Sequence, residues 1–409
     1  MGAQGDGIGE ADVRGGLREV MVPLALAGER IVARVAGDRG DLTEVLEPSP
    51  ERVTPPCPHF GACGGCALQH WATAPYLAWK LERVRQALGW VHLEAPIDLA
   101  YAAPPGARRR VALHARRVGS KVRVGFKGRR SWDLAPIETC VIARPALVAA
   151  LPALARLAEP FLASPKSAPT LHVTETETGL DIDITGVERP GPSADALAQA
   201  AQVASEAGFA RVTMAGDPVC QVRRPVVKLG PAVVSLPAGG FLQATAGAET
   251  AMAEILVKAA DGSRTVADLY CGAGSFTFRL AAKAQVVAAD ASAPAVAALN
   301  AAIASAPGLK AIDARTQDLE RRPMLASELD RMDLVVFDPP RSGAAVQAAE
   351  LARSRAPRVA AVSCNPGTFA RDARILADGG FRLEHVHVVD QFLWSAHIEL
   401  VALFSREAA

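Results

Sequence analysis

From about Gly240 to the C-terminus, short aliphatic runs alternate with helix-like stretches, and no other feature constrains the fold as tightly. Val266-Ala267-Asp268-Leu269-Tyr270, Val286 to Ala289, Leu334 to Phe337 and Val359 to Val362 read as strands. Strand–helix repeats of this kind are the signature of a doubly wound parallel sheet. Two further runs, Glu384 to Val389 and His397 to Phe404, follow one another with no helix between them. They predict an antiparallel hairpin at the sheet edge. Open α/β sheets bind ligands outside the carboxyl ends of their strands, so those ends are where chemistry belongs.

The first strand leads into Cys271-Gly272-Ala273-Gly274-Ser275, and a helix begins at Phe276. A glycine turn lets a ligand approach the backbone closely, with a helix N-terminus behind it. Asp290 ends the second strand, where a carboxylate accepts hydrogen bonds from ribose hydroxyls. Dinucleotides and S-adenosylmethionine both use this arrangement. Thr277 stands where a dinucleotide fingerprint would carry its third glycine, which weakens the dinucleotide reading. Asp338-Pro339-Pro340-Arg341 ends another strand. Its two prolines fix the loop and remove two N–H donors, which suits a planar base. Ser363-Cys364-Asn365-Pro366 reads as strand, tight turn and helix, and places the Cys364 thiol as a candidate nucleophile. Glu399 is flanked by Ile398 and Leu400. Apolar surroundings raise a carboxylate's pKa and fit it to act as a base near neutral pH.

The chain before this region differs in kind. Residues 1–55 alternate with period 2 at Val20, Val22 and Leu24 and again at Ile31, Ala33 and Val35, which predicts a small all-β module. Cys57, Cys63 and Cys66 follow with the spacing C-x5-C-x2-C, and Cys140 is the candidate fourth ligand of a metal centre. Four cysteines serve zinc and iron–sulfur clusters alike, so spacing alone leaves both open. Residues 75–88 have helical spacing, with Pro75 suited to the first turn, and the helix is a candidate to pack on the C-terminal domain. Arg108, Arg109, Arg110, Arg116, Arg117, Lys121, Arg123, Lys127, Arg129 and Arg130 form a run with no acid among them. Val111, Leu113, Val122 and Val124 alternate with these charges, predicting a hairpin with one basic face. Like charges so dense call for a polyanion, hence nucleic acid. Residues 145–240 read as mixed α/β, with a hairpin turned at Thr178-Gly179 and a helix capped by Ser193. Cys220 reads as a core thiol.

Composition adds exclusions. No run of about 18 uncharged apolar residues is present, so no membrane span is expected. Met1 to Glu10 has no apolar signal core, and Asp6 stands where myristoylation wants Ser or Thr. Seven Cys in 409 residues without an export signal suggest a reducing, cytoplasmic setting. No apolar repeat demands a partner, so a monomer is expected.

Together the cysteine set, the Asp268-to-Gly274 turn, Asp338-Pro-Pro-Arg341, Ser363-Cys-Asn-Pro366 and His397-Ile-Glu399 resemble the RNA 5-methyluridine (uracil-C5) methyltransferases. More narrowly, they resemble the iron–sulfur branch that methylates uridines in 23S ribosomal RNA. The resemblance implies an α/β fold in three parts. Residues 1–55 would be a TRAM-like OB β-barrel that binds RNA. Residues 56–238 would be a central α+β iron–sulfur and RNA-binding domain. Residues 239–409 would be a class I, Rossmann-like S-adenosylmethionine methyltransferase domain. The barrel would begin late, its first strand missing or lying upstream. Cys57, Cys63, Cys66 and Cys140 then match the ligands of a [4Fe–4S] cluster. Cys364 matches the nucleophile and Glu399 the base. Gln243, Tyr270, Ser275, Asp290, Asp318 and Asp338 match positions around S-adenosylmethionine, while Thr245 departs from the family's usual Asn. The implied substrate is RNA, rRNA being favoured over tRNA. Three other readings compete. An amino-methyltransferase has no use for Cys364, a radical enzyme wants a C-x3-C-x2-C triplet, and a non-catalytic RNA-binding protein needs no glycine turn.

Overall fold

The computed structural model describes residues 1–12 and 16–406. β1 (Gly7–Asp12), β2 (Leu17–Val22), β3 (Arg30–Ala36) and β4 (Arg39–Glu47) form a four-stranded sheet in the order β1-β2-β4-β3. Its small core gathers Val20, Val22 and Ala25 with Ile31, Ala33, Val35 and Leu42. The period-2 pattern is therefore right for most positions, but Leu24 adopts a left-handed backbone (φ 66°) after the strand has ended. The opening stretch, expected to lack a strand, supplies β1, which pairs with β2 along its whole length.

After the cysteine-rich loop comes α1 (Thr73–Gly89), with Pro75 in its first turn as expected. β5 (Ile97–Ala102) follows. Next, β6 (Arg110–Val118) and β7 (Lys121–Lys127) form the basic hairpin, and β8 (Leu134–Pro136) pairs with β7. Helices α2 (Pro145–Ala149) and α3 (Leu151–Ala158) lead to β9 (Thr170–Thr176) and β10 (Gly179–Thr185), the hairpin turning at Thr178-Gly179. In α4 (Ala194–Glu206) the Ser193 hydroxyl accepts from the Ala196 N–H, closing the cap expected there. β11 (Arg211–Met214) and β12 (Asp217–Gln221) complete a seven-stranded sheet ordered β12-β11-β10-β9-β6-β7-β8. Leu154, Leu157 and Val203 from α3 and α4 pack on Leu113, Leu171 and Ile182 of this sheet, with Cys220 at the margin of the core.

The C-terminal unit opens with the hairpin β13 (Val226–Leu229) and β14 (Ala232–Ser235). Its elements are then α5 (Ala246–Ala259), β15 (Thr265–Leu269), α6 (Thr277–Leu280), β16 (Gln285–Asp290), α7 (Ala293–Ile303) and β17 (Ile312–Thr316). After these come α8 (Ala326–Leu329), β18 (Leu334–Phe337), α9 (Ala345–Arg353), β19 (Arg358–Ser363), α10 (Pro366–Asp378), β20 (Arg382–Asp390) and β21 (Glu399–Ser405). The sheet has eight strands in the order β17-β16-β15-β18-β19-β21-β20-β5. Every residue of β18 is buried, as a parallel strand covered on both faces must be. One face carries α5 and α7 over Val266, Val286 and Val336. The other carries α1, α9 and α10 over Leu269, Val335 and Phe337. Chain order reverses between β15 and β18, so the ligand crevice belongs at their carboxyl ends.

Two expectations need correction. The β20–β21 hairpin is not the sheet edge, because β5 pairs parallel to β20 from Ile97 to Ala102 and covers it. Asp98 of β5 is hydrogen-bonded to His385 (3.0 Å) and His387 (2.8 Å) of β20 across that pairing. An open edge is a liability that folds cover, but the covering strand lies far away in sequence. Nor does the boundary near residue 239 match the packing. Val227, Leu229 and Val234, all before residue 239, join the C-terminal core from one side, while Val84 and Leu88 of α1 pack on the other side as expected. No helix among the described residues is long and apolar enough to cross a membrane.

Candidate active site

The turn after β19 is locked before anything binds. Asn365 caps α10, its Oδ1 accepting from the Gly367 N–H (3.0 Å), with Pro366 at the first helical position. The Asn365 side chain also donates to the Arg341 carbonyl (3.2 Å), which ties this turn to the Asp-Pro-Pro-Arg loop after β18. β19 and β21 are antiparallel, and Ser363 faces Leu400. Cys364 and Glu399 are therefore the next residues along the two paired chains.

Burial pushes the Cys364 thiol up to about 11, and the nearby Glu399 and Asp338 carboxylates add to the rise. Glu399 is buried, and its Oε2 accepts from Gln391 Nε2 at 2.7 Å. Burial, and after it Asp338, raise its pKa to about 8 against the Gln391 hydrogen bond. Asp338 is half-buried. It accepts from Gln243 Nε2 (3.2 Å) and is pushed up to about 7 by burial, then by Asp268 and Asp290.

The glycine turn holds its shape through Asp290. One carboxylate oxygen accepts from the Gly272 N–H (2.8 Å) and the other from the Ser292 N–H (2.7 Å). Gly274 has φ 98°, and a Cβ there would meet the Phe278 ring at 2.6 Å, so only glycine fits. Thr277, the position where the third glycine is absent, donates its hydroxyl to the buried Asp268 at 2.5 Å. Tyr270 sits in the left-handed region (φ 63°). Its hydroxyl is buried with no hydrogen-bond partner of ordinary geometry, and burial first, then the nearby Glu320 carboxylate, hold its proton on. Gln243, Tyr270, Ser275, Asp290, Asp318 and Asp338 line one cavity of about 860 Å³, and Cys364 and Glu399 line it with them.

A second cavity of about 620 Å³ is lined by Cys57, Cys63, Cys66 and Cys140. Arg108, Arg341, Cys364 and Phe392 line both cavities, so the Cys364 thiol stands at their junction. Burial pushes Cys66 up to about 12 and raises Cys63 and Cys140 as well, and the neighbouring Cys57 adds to each rise.

Residues 232–407 match the tRNA (uracil-5-)-methyltransferase family. Over 99% of its length the chain is 60% identical to an RNA methyltransferase of Caulobacter vibrioides, covering 98% of that protein. It is 34% identical to the 23S rRNA (uracil(1939)-C(5))-methyltransferase of Pseudomonas entomophila, over 98% of this chain and 91% of that one. The chain belongs to the RNA 5-methyluridine methyltransferase family. The fold agrees. The Pyrococcus abyssi tRNA (uracil-54, C5)-methyltransferase, solved with S-adenosyl-L-homocysteine, superposes with a TM-score of 0.69 at 19% identity, over 94% of this chain and 95% of that one. The enzyme is thus an S-adenosylmethionine-dependent methyltransferase acting on C5 of uracil in RNA, with the α/β methyltransferase fold. Family membership sets aside the amino-methyltransferase and non-catalytic readings.

Against this background, several basic residues of the methyltransferase need reassignment. Arg109 is buried. It donates to the Gln243 carbonyl (3.0 Å) and pairs with Glu249 (2.7 Å). Arg110 donates to the Leu242 carbonyl (2.9 Å). Arg129 and Arg130 both pair with Asp6, and Arg117 reaches Glu159 at 3.5 Å. The run lacks acids in sequence, but the fold brings acids to four of these five and a backbone carbonyl to Arg110, so all five are engaged within the protein. No ion pair among the described residues engages Arg116, Lys121, Arg123 or Lys127, although Lys127 sits 3.7 Å from the Trp132 ring centroid. Thr245, where the family has Asn, caps α5, its hydroxyl accepting from the Ala248 N–H at 3.2 Å. Sequence reasoning missed Gln391, Asp268 and Lys80. A buried amide in a loop carries no pattern, and Lys80 lies on a helix whose spacing announces only packing.

Proposed function

We propose that the enzyme methylates C5 of a uridine in 23S rRNA, with Cys364 as nucleophile and Glu399 as base. The observation that carries this is the placement of Cys364 and Glu399 at adjacent positions of paired strands, on the wall of one cavity. The Cys364 thiolate adds to C6 of uracil, forming the S–C6 bond and making C5 enolate-like. Bound S-adenosylmethionine supplies the methyl group as an electrophilic sulfonium and leaves as the neutral sulfide. Glu399 then takes the C5 proton. The electron pair of that C–H bond forms the C5–C6 double bond, and the thiolate departs. Sulfur serves here because it both attacks and leaves. Asp290 and Asp318, which line the same cavity, would meet the donor's polar groups, and the Tyr270 hydroxyl would take a polar ligand. The target uridine must leave its stack to reach Cys364, most cheaply from a loop or single strand.

Cys57, Cys63, Cys66 and Cys140 would hold a [4Fe–4S] cluster. Four thiols around one cavity can supply the thiolate ligands that a cationic centre needs. The N-terminal sheet and the free basic face of β6–β7 would grip RNA. The Pseudomonas entomophila relative favours rRNA as substrate, with tRNA as the second reading.

The test is tritium release from RNA labelled at C5 of uridine, prepared from cells lacking this enzyme. Release that depends on S-adenosylmethionine and vanishes in Cys364→Ala is expected. Methyl incorporation without release would overturn the mechanism. Mapping the methylated position in 23S rRNA and tRNA decides the substrate.

A further inference from the structure

We infer that Gln391 is the positioning residue that aims Glu399 and locks Gln243 beside it, an inference that rests on Glu399 being the base. Three contacts fix its amide one way round. Gln391 Oε1 accepts from the Ala244 N–H at 2.9 Å. Its Nε2 therefore faces the other way, donating to Gln243 Oε1 (2.8 Å) and to Glu399 Oε2 (2.7 Å). Both N–H groups and the carbonyl are occupied, so no flipped amide satisfies the same neighbours. Gln243 is oriented in turn. Its Oε1 is taken by Gln391, so its Nε2 faces Asp338 at 3.2 Å.

The result is a row of Glu399, Gln391, Gln243 and Asp338, the first three buried and Asp338 half-buried, in which two amides separate two carboxylates. Gln391, Gln243 and Glu399 are each 2–3% exposed. With Oε2 held, Glu399 Oε1 has no hydrogen bond among the described residues, is not among the sealed-off polar atoms, and opens on the cavity. That oxygen is the one free to take a proton. The amide N–H also favours the ionised carboxylate, opposing the burial that raises it. Of the titratable groups around Glu399, Asp338 and the Cys364 thiol face it from β18 and β19. Gln391 is aimed from behind. Its neighbour Asp390 is held by Lys80 (2.6 Å) and Tyr76 (2.6 Å) of α1.

The experiment compares Gln391→Met, Gln391→Glu and Glu399→Gln as full-length enzyme, each first shown to bind S-adenosylmethionine. For Gln391→Met, kcat should fall about 10- to 100-fold, the scale of one hydrogen bond to a charged group. KM for S-adenosylmethionine should change less than about threefold, while the rising limb of the pH–kcat profile moves about one unit upward. Covalent enzyme–RNA adduct should accumulate on ordinary RNA, because proton removal is slowed after Cys364 has added. Gln391→Glu keeps the shape but puts a carboxylate beside Glu399, so its limb should move further up. It reads the same contact if the Met variant fails to fold. An unmoved limb with unchanged adduct in either folded variant overturns the role of Gln391, provided Glu399→Gln is inactive. If Glu399→Gln turns over normally, the assignment of the base fails instead.

Discussion

Replacing Lys80 by Met tests how the base is held in place. The Lys80 and Asp390 side chains are both fully buried, with Nζ 2.6 Å from Asp390 Oδ1. Nζ also donates to the carbonyls of His397 (2.7 Å) and Phe392 (3.3 Å). Burial pulls the Lys80 pKa down to about 8, although Asp390 holds it up. Methionine of similar length leaves Asp390 buried with Tyr76 and the Phe392 N–H but no countercharge. Breaking a buried pair from one side costs about 3–5 kcal/mol, mostly the stranded charge. Equilibrium urea unfolding of the full chain at pH 7 should show that loss as a lower midpoint at unchanged slope. The Lys80→Met/Asp390→Asn double variant should recover more than half of it, since no stranded charge remains. Activity should fall in both, because the segment from Asp390 to Glu399 carries Gln391 and ends at the base. A displacement of about 1 Å there costs up to about 100-fold. A single variant within about 1 kcal/mol of the wild type, or a double variant no more stable than the single, would refute the reasoning.

Other outcomes follow from the same geometry. Cys364→Ala should abolish turnover, and Glu399→Gln should trap a denaturant-stable adduct with unmodified RNA, visible as a gel shift; turnover by the first variant would remove Cys364 from the mechanism. Glu399 has a folded pKa near 8, above its unfolded value, so the folded state keeps a proton that the unfolded chain releases between about pH 4.5 and 8. Its contribution is therefore fully present below about pH 4.5 and lost as pH rises through about 8; the decline in unfolding midpoint across that window should be shallower in Glu399→Gln. Activity should rise toward pH 8 as the carboxylate ionises. Arg123→Gln should reduce the salt slope of RNA binding by about 1, whereas Arg109→Gln should lower stability with little change in slope. Cys63→Ser in anaerobically purified enzyme should lose bound iron and the visible absorbance of a cluster; unchanged iron content would remove Cys63 from the ligand set.

The amino-acid sequence by itself determined the parts of this protein that local chemistry specifies. The strand-end residues could be read because an apolar run, a Gly or Pro turn and the next helix set where Asp290, Asp338 and Cys364 stand within a few residues. The caps at Ser193 and Asn365 follow the same short-range rules. Tertiary structure alone decided what depends on partners distant in the chain. β5 covers the edge beside β20, and Glu249 and Asp6 engage arginines that look unpaired along the chain. β17 was hidden because its alternating charges suit a half-exposed edge strand. Gln391 shows the difference most clearly, since its neighbours in sequence give no hint of an amide satisfied at all its groups. The physical reason is range. Backbone conformation and apolar patterning are set over a few residues, whereas burial, ion pairing and hydrogen-bond satisfaction depend on whichever side chains the completed fold brings together.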